Sequence, residues 1–463
     1  MKFRKLGKIL LIGTLSVGVI LGVSSCVVSY TVGYLFVTGL VTAQPTGNGI
    51  ISGFKIGHNR GLLTQINGLP VSSGGANPVR AVLSIGSRFL YVLNRGMTTS
   101  GSPNCTTVDP CQNANITQFA VGGNGILTPQ ETFSTEGVNP FRLILDPTGN
   151  YLLVLDHDAP DNYATSYNAL TNACTLALGK GVKTCGDITV FQIDPTTGRL
   201  SVVVNAQVTA ASGKPIDYFP IPADPVDFLA SASGSSSYVL TLTAGTAGGS
   251  YPYVGGTAVW PYAFNSGNGQ MTLTLDNIDQ LHITGGTAIV EASNVVYVLD
   301  NQPITTSFNG SAVSASSQIL PFTIGTDGSL QAESSGIIPD DPTLGNPIEL
   351  LLEHSGKFLY VANQGNNNVG INTQSGIAGY FITDTPSYQV SFLADQPFAI
   401  GAGPQCIVED PSNQFVYTAN YNSSSVSGRY VDVNSGSLDT LRVVSDYPLQ
   451  GPATWCLMDG RTD

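Results

Sequence analysis

Only 11% of the 463 residues are charged, 53 are glycine and 27 proline, and the formal net charge is −13. Such a chain lacks the clustered Lys and Arg that neutralising phosphates requires, which excludes nucleic acid as a partner. Segments rich in Val, Ile, Tyr, Phe and Thr, with no long amphipathic helical pattern, point to an all-β protein, and a single large β domain accommodates this length.

The chain opens MKFRKLGKILLIGTLSVGVILGVSSC, with Lys2, Arg4, Lys5 and Lys8 ahead of an apolar run from Ile9 to Val23. That is the layout of an export signal. Residues 1–26 resemble a bacterial lipoprotein signal, in which small residues, here Ser24 and Ser25, precede a Cys that is lipidated and becomes the new N-terminus. The resemblance assigns that role to Cys26 and implies a protein held to a membrane by lipid in the cell envelope, outer membrane or periplasm-facing, or secreted. An uncleaved anchor helix is the other reading, since Leu6 to Val28 is just long enough to span a bilayer.

Setting Cys26 aside leaves six cysteines, which fall into three pairs. Cys105 and Cys111 bracket CTTVDPC, Cys174 and Cys185 bracket CTLALGKGVKTC, and Cys406 and Cys456 follow the related phrases GPQC and GPATWC. None has the CxxC spacing of a zinc site, and three disulfides imply an oxidising compartment.

From residue 30 to 463 the chain repeats itself. Each unit opens on a Pro phrase running into an apolar strand: NPVRAVLSIG at Asn77, NPFRLILDPTG at Asn139, DPVDFLASASG at Asp224, NPIELLLEHSG at Asn346, GPQCIVEDPSN at Gly403, and a weaker copy, GGTAIVEASN, at Gly285. A polar turn and a second strand follow: FLYVLN, YLLVLD, SYVLTL, VVYVLD, FLYVAN and FVYTAN. A third strand of alternating character, such as NITQFAVG, and a Gly turn with a short edge strand, such as GILTPQ, complete the unit. Six units are complete, and the two ends of the chain hold complementary pieces of a seventh: YLFVTG, IISGFKI and GLLTQI lack an opening strand, and GPATWCLMDG is an opening strand alone. The expectation is one seven-bladed β-propeller of four-stranded antiparallel blades over residues 30–463, closed by N- and C-terminal strands pairing in one blade, with no sheet edge left open.

The Pro phrase, the P-x-G turn, [FY]-[LV]-Y-V-x-N and the later G-x-L resemble the lactonase-type seven-bladed propellers related to 6-phosphogluconolactonase and their YVTN-repeat relatives. The resemblance implies hydrolysis of a lactone or cyclic ester at the channel mouth. The sequence departs from it where the family carries channel histidines, with Phe141 and Arg142, Ile348 and Glu349 in those places; His58, His157, His282 and His354 lie elsewhere.

Counting two residues past each Pro gives Arg80, Arg142, Asp227, Glu349, Cys406 and Thr454, positions that converge near the axis of equivalent blades. Arg80 and Arg142 are the candidates for holding an anion, and Glu349 or Asp227 for the general base. The plainer reading is a ring of salt bridges around a wet channel. Asp156, Asp158 and Asp161 in LDHDAPDN could hold Ca²⁺ but lack EF-hand spacing, so a solvated acidic loop, no metal and no cofactor are expected. No GxSxG elbow or phosphate loop appears, and Trp260 and Trp455 are assigned to packing. Two functions stay open: a lactone hydrolase, and a non-catalytic binding or scaffold propeller contacting envelope or extracellular proteins or carbohydrates. A monomer with a small-molecule or envelope-protein partner is expected.

Overall fold

The structure, a computed structural model, describes residues 30–41, 48–106, 108–160, 185–210, 212–222, 224–244, 257–273, 279–281, 283–333, 336–365, 374–384 and 389–461. Cys26 with its signal, Asp161, Cys174 and His282 lie outside the described residues.

Seven antiparallel sheets, each built on four strands, form the blades of a propeller. Their innermost strands are Pro78–Leu83, Val138–Leu145, Pro225–Ser233, Gly286–Ala292, Pro347–Leu352, Pro404–Glu409 and Ala453–Asp459. Each touches the next in that order, and the last touches the first. Numbering by chain order, blades 2 to 7 begin with the first six of these strands. Blade 1 is the composite: Ala453–Asp459 pairs with Thr31–Gly39, which pairs with Ile50–Gly57, which pairs with Leu63–Gln65. Thr38 stands opposite Trp455 and Tyr34 opposite Asp459, so head and tail share one sheet as the two sequence fragments required.

The recurring phrase around the second strand has a specific packing task. In blades 2, 6 and 7 its central tyrosine crosses to the following blade, where the hydroxyl donates to a turn carbonyl: Tyr91 to Gly198 (2.6 Å), Tyr360 to Gly436 (2.8 Å) and Tyr417 to Gly61 (2.6 Å). The phrase's Phe lies on the same face, two residues earlier, and packs against the same glycine. A Cβ on Gly198 would meet Phe89 at 2.5 Å and one on Gly436 would meet Phe358 at 2.4 Å, and both glycines have φ near +70°, so turn and aromatic are fitted to one another. Blades 1 and 4 make the same bridge from the earlier position, with Tyr34 reaching Gly123 and Tyr238 reaching Thr326. Period-two alternation keeps both positions on one side of the strand, so either can carry the hydroxyl.

Two features were not visible in the repeat. In five blades the third strand pairs with two short segments rather than one, as Gly186–Ile193 does with Leu200–Val202 and Phe219–Ile221. Blade 5 also carries an inserted hairpin, Ile304–Phe308 with Ser311–Ala315, braced on blade 6 by Phe308 against Phe392 at 4.9 Å between ring centroids.

Cys105 is bonded to Cys111 and Cys406 to Cys456, and Cys185 is also in a disulfide. The Cys406–Cys456 bond ties blade 7 to the closing strand of blade 1. Cross-linking residues 50 apart removes more freedom from the unfolded chain than cross-linking residues 6 apart. Replacing Cys406 and Cys456 with Ser should therefore lower unfolding stability by about 4 kcal/mol, and replacing Cys105 and Cys111 by about 2. Urea denaturation of the two double variants measures the difference, and equal losses would contradict a seam function.

Candidate functional site

The site is built where the innermost strands begin. Asn77, Asn139, Asp224 and Asn346, each just before a Pro, have φ between 52° and 59°, a left-handed conformation that Asn and Asp tolerate better than other side chains. A bulge follows at once: pairing skips from Pro78 to Arg80, Pro140 to Arg142, Pro225 to Asp227, Pro347 to Glu349 and Pro404 to Cys406. These five equivalent positions are the ones expected from the sequence. The sixth is not, because the bulge in blade 1 pairs Gly39 with Ala453 and Thr38 with Trp455. The ring position therefore belongs to Trp455, and Thr454 instead places its hydroxyl 2.9 Å from that of Thr38. Blade 5 contributes Ala288.

The charged members do meet. Arg142 Nε lies 3.0 Å from Asp227 Oδ1, and Asp227 Oδ2 accepts the Ile289 N–H at 3.1 Å. Arg80 Nη1 is 4.0 Å from Glu349 Oε2 across the axis, and the guanidinium lies over the Trp455 ring, 3.4 Å from its centroid. Nη1 of Arg80 is buried without a hydrogen-bond acceptor. Burial pulls the Arg80 pKa down to about 9, helped by the Arg142 charge and opposed by Asp227 and Glu349. Burial pushes Glu349 up to about 7 against the pull of Arg80. Cys406 is committed to its disulfide.

A cavity of about 370 Å³ opens above this ring. Arg80, Arg95 and Arg142 line it together with Gln364, Gln405, Tyr421, Thr454 and Trp455, while Glu349 and Asp227 stand behind the arginines. Trp455 is thus a wall of the site and not simply packing. Arg95 was not anticipated, although its signal is in the sequence: it directly follows FLYVLN, as Gln364 follows FLYVAN and Tyr421 follows FVYTAN. In blades 1, 2, 6 and 7 the residue after the second-strand phrase, Leu40, Arg95, Gln364 and Tyr421, lines the cavity. Arg95 Nη2 donates to Cys105 O at 3.5 Å, and its Nε is buried with no acceptor. Burial, then the Arg142 charge, lower its pKa.

His157 occupies the corresponding place in blade 3 but turns aside, with Nδ1 3.3 Å from Asp158 Oδ2 and Nε2 3.6 Å from Asp224 Oδ1. His58 stacks on Tyr30 at 4.3 Å, and His354 is exposed. Among the described residues, no histidine lines the cavity.

The acidic loop is corrected as well. Asp156 and Asp158 are buried, with 0% and 4% exposure, so they do not form a solvated loop. Among the described residues, no group of three or more His, Cys, Asp or Glu is arranged to hold a metal ion. Asp156 stands directly opposite Asp187, also fully buried. In blades 2 and 5 the equivalent pair contains an amide: Asn94 donates to Asn115 Oδ1 at 2.9 Å and Gln318 to Asp300 Oδ2 at 2.6 Å. Blade 3 has no amide there, and Asp156 Oδ1 and both Asp187 oxygens lack hydrogen-bond partners. Burial first, then for Asp187 the charge of Asp156 and for both the nearby Glu136, hold the two carboxyls well above the usual range, so the pair keeps a proton.

A family model described as "Lactonase, 7-bladed beta-propeller" matches residues 47–172 and 304–454. Among solved structures, a Bacteroides fragilis protein proposed to be a 6-phosphogluconolactonase superposes with a TM-score of 0.61 at 14% identity, covering 94% of this chain and 99% of that one. The periplasmic gluconolactonase of Pseudomonas aeruginosa gives 0.59 at 16% identity, over 92% and 99%. A Lactobacillus plantarum protein gives 0.57 at 15%, also over 92% and 99%. At such identities the likeness establishes the fold. No curated protein matches the chain.

The Asp156–Asp187 proton gives a stability prediction. The folded pair retains a proton that the unfolded chain sheds above its ordinary carboxylate pKa, so the pair's contribution falls as pH rises past that value. Asp187→Asn supplies the missing amide donor. The variant should gain roughly 1–3 kcal/mol at pH 8 by satisfying a buried acceptor, with little gain at pH 4. Thermal melts of both proteins at the two pH values test this, and a variant less stable than the parent at pH 8 would show that the pair does not share a proton.

Proposed function

Because the chain belongs to the lactonase family of seven-bladed β-propellers, we propose that it hydrolyses a lactone or related cyclic ester bearing an anionic group, at the mouth of the axial channel. One observation carries this reading: buried arginine N–H groups without acceptors, on Arg80 and Arg95, in a cavity that Arg142 also lines. Donors that no protein group accepts from are available to an anion, or to the oxyanion that forms as an ester carbonyl is attacked.

Glu349 is the base in this scheme. A carboxyl near pKa 7 is half ionised at neutral pH, which suits general-base work. Water, the second substrate, loses a proton to Glu349 as its oxygen bonds to the lactone carbonyl carbon. The resulting oxyanion is neutralised by the Arg80 edge. Collapse breaks the ring C–O bond, and the proton on Glu349 passes to the departing alkoxide. Arg142 holds Asp227 in an ion pair, which leaves Glu349 as the carboxylate with the looser partner. A second reading, ligand binding without turnover, is favoured because, among the described residues, neither a histidine nor Glu349 is in the cavity lining. The basic, apolar N-terminal run supports an envelope location with the propeller tethered through Cys26.

A panel of carboxylated and phosphorylated lactones, assayed with the folded domain, separates the readings. Turnover that falls by about a hundredfold or more in Glu349→Gln supports the hydrolase. Binding without turnover for every lactone would leave the binding module. If Glu349 is the base, kcat/KM should rise through about pH 7 as it ionises and decline above about pH 9 as Arg80 loses its charge. Replacement of Cys26 by Ser should move the protein from the membrane to the soluble fraction, measured by fractionation of the expressing cells; unchanged partition would contradict the lipid tether.

A further inference from the structure

Arg80 poses a mechanical question that the anion reading leaves open. Two carboxylates, Glu349 and Asp227, act on its charge from behind the cavity wall, and like-charged Arg142 repels it. A long flexible cation in that field should fold back onto Glu349 and close a bidentate ion pair. It stops at 4.0 Å, too far for a hydrogen bond, with Nη1 left unpartnered. The contact it makes instead is the stack on Trp455 at 3.4 Å. Stacking uses the flat face of a guanidinium and leaves its edge donors free, which an ammonium could not do.

We propose that Trp455 is a positioning residue for anion recognition, holding the Arg80 guanidinium on the cavity wall and out of a close pair with Glu349. The inference rests on the anion-binding reading and adds how that site is kept open. Trp455 is itself fixed from both sides: Thr454 meets the Thr38 hydroxyl, and Cys456 is bonded to Cys406 beside the cavity residue Gln405. The strand that closes the propeller thereby supplies the platform on which the site's central cation rests. With that platform gone, Arg80 pairs with Glu349, the cavity loses its donor, and Glu349 stays ionised to lower pH.

Isothermal calorimetry with citrate and with inorganic phosphate, on the full chain, tests this. Trp455→Leu is expected to weaken anion binding about tenfold, the scale of one stacking contact on an aromatic face, while Trp455→Phe keeps most of the affinity. In an Arg80→Ala background Trp455→Leu should cost nothing more, because Trp455 acts only through Arg80. A general packing defect would multiply the two losses instead. Titration of the Glu349 carboxyl, followed by isotope-edited infrared or by the acid limb of any turnover, should move to lower pH in Trp455→Leu and stay in place in Trp455→Phe. Affinity within twofold of the parent in Trp455→Leu, or multiplicative losses in the double variant, overturns the positioning role while leaving the anion site intact. Should the parent protein bind neither citrate nor phosphate, the anion reading fails and the inference fails with it.

Discussion

The structure depends on a contact between blades rather than within them. A twisted four-stranded sheet has two faces to cover, and here each is covered by the neighbouring sheet, so no blade is stable without the ones beside it. The tyrosine hydroxyls that reach the next blade's turn carbonyl make this packing directional. At the five junctions that carry such a bridge, it fixes how far a sheet slides and rotates against the next, because a phenol that loses its buried acceptor leaves two polar groups unsatisfied. The bridge from Tyr417 to Gly61 joins blade 7 to blade 1, so it exists only when the chain has closed into a ring.

That dependence explains which parts of the fold were legible. FLYVLN, FLYVAN and FVYTAN share their spelling because each presents Phe and Tyr to the same kind of turn in the following blade, and one packing geometry imposes one spelling. Closure was legible too, since a blade split between the two ends leaves complementary remainders at Tyr34 and Trp455. The hairpin at Ile304–Phe308 was not, because an insertion between strands obeys no blade-to-blade constraint.

At the site, legibility failed by a single residue. Counting from Pro works in blades 2, 3, 4, 6 and 7, where the bulge directly follows the Pro. In the closing strand the bulge lies one residue further on, and the count lands on Thr454 instead of Trp455. A bulge is a property of two paired strands, and one strand's sequence does not record it. Arg95 was overlooked for a different reason: as the residue just past the repeated phrase it reads as variable, and variability among blades is what a lined cavity requires. Asp156 shows a third kind of failure. Its neighbours in LDHDAPDN are polar and suggest solvent, yet strand pairing carries it beneath the surface opposite Asp187. Burial here follows from register, to which hydropathy is blind.

The balance of charge also bears on what the cavity admits. A protein of net charge −13 repels anions at a distance, but salt confines that field to about 8 Å at physiological ionic strength. Inside the mouth, the charged lining residues are Arg80, Arg95 and Arg142, so in the proposed reading attraction at contact outweighs the screened repulsion from the rim. An extended polyanion would need to lie along the acidic exterior and gains nothing from three recessed cations. On that reading a compact anion enters the cavity of about 370 Å³ that all three line. In the proposed reading this distribution favours a small acidic ligand in the interior over a polyanion on the surface, and ring closure, by seating Arg80 against Trp455 of the last strand, shapes that interior.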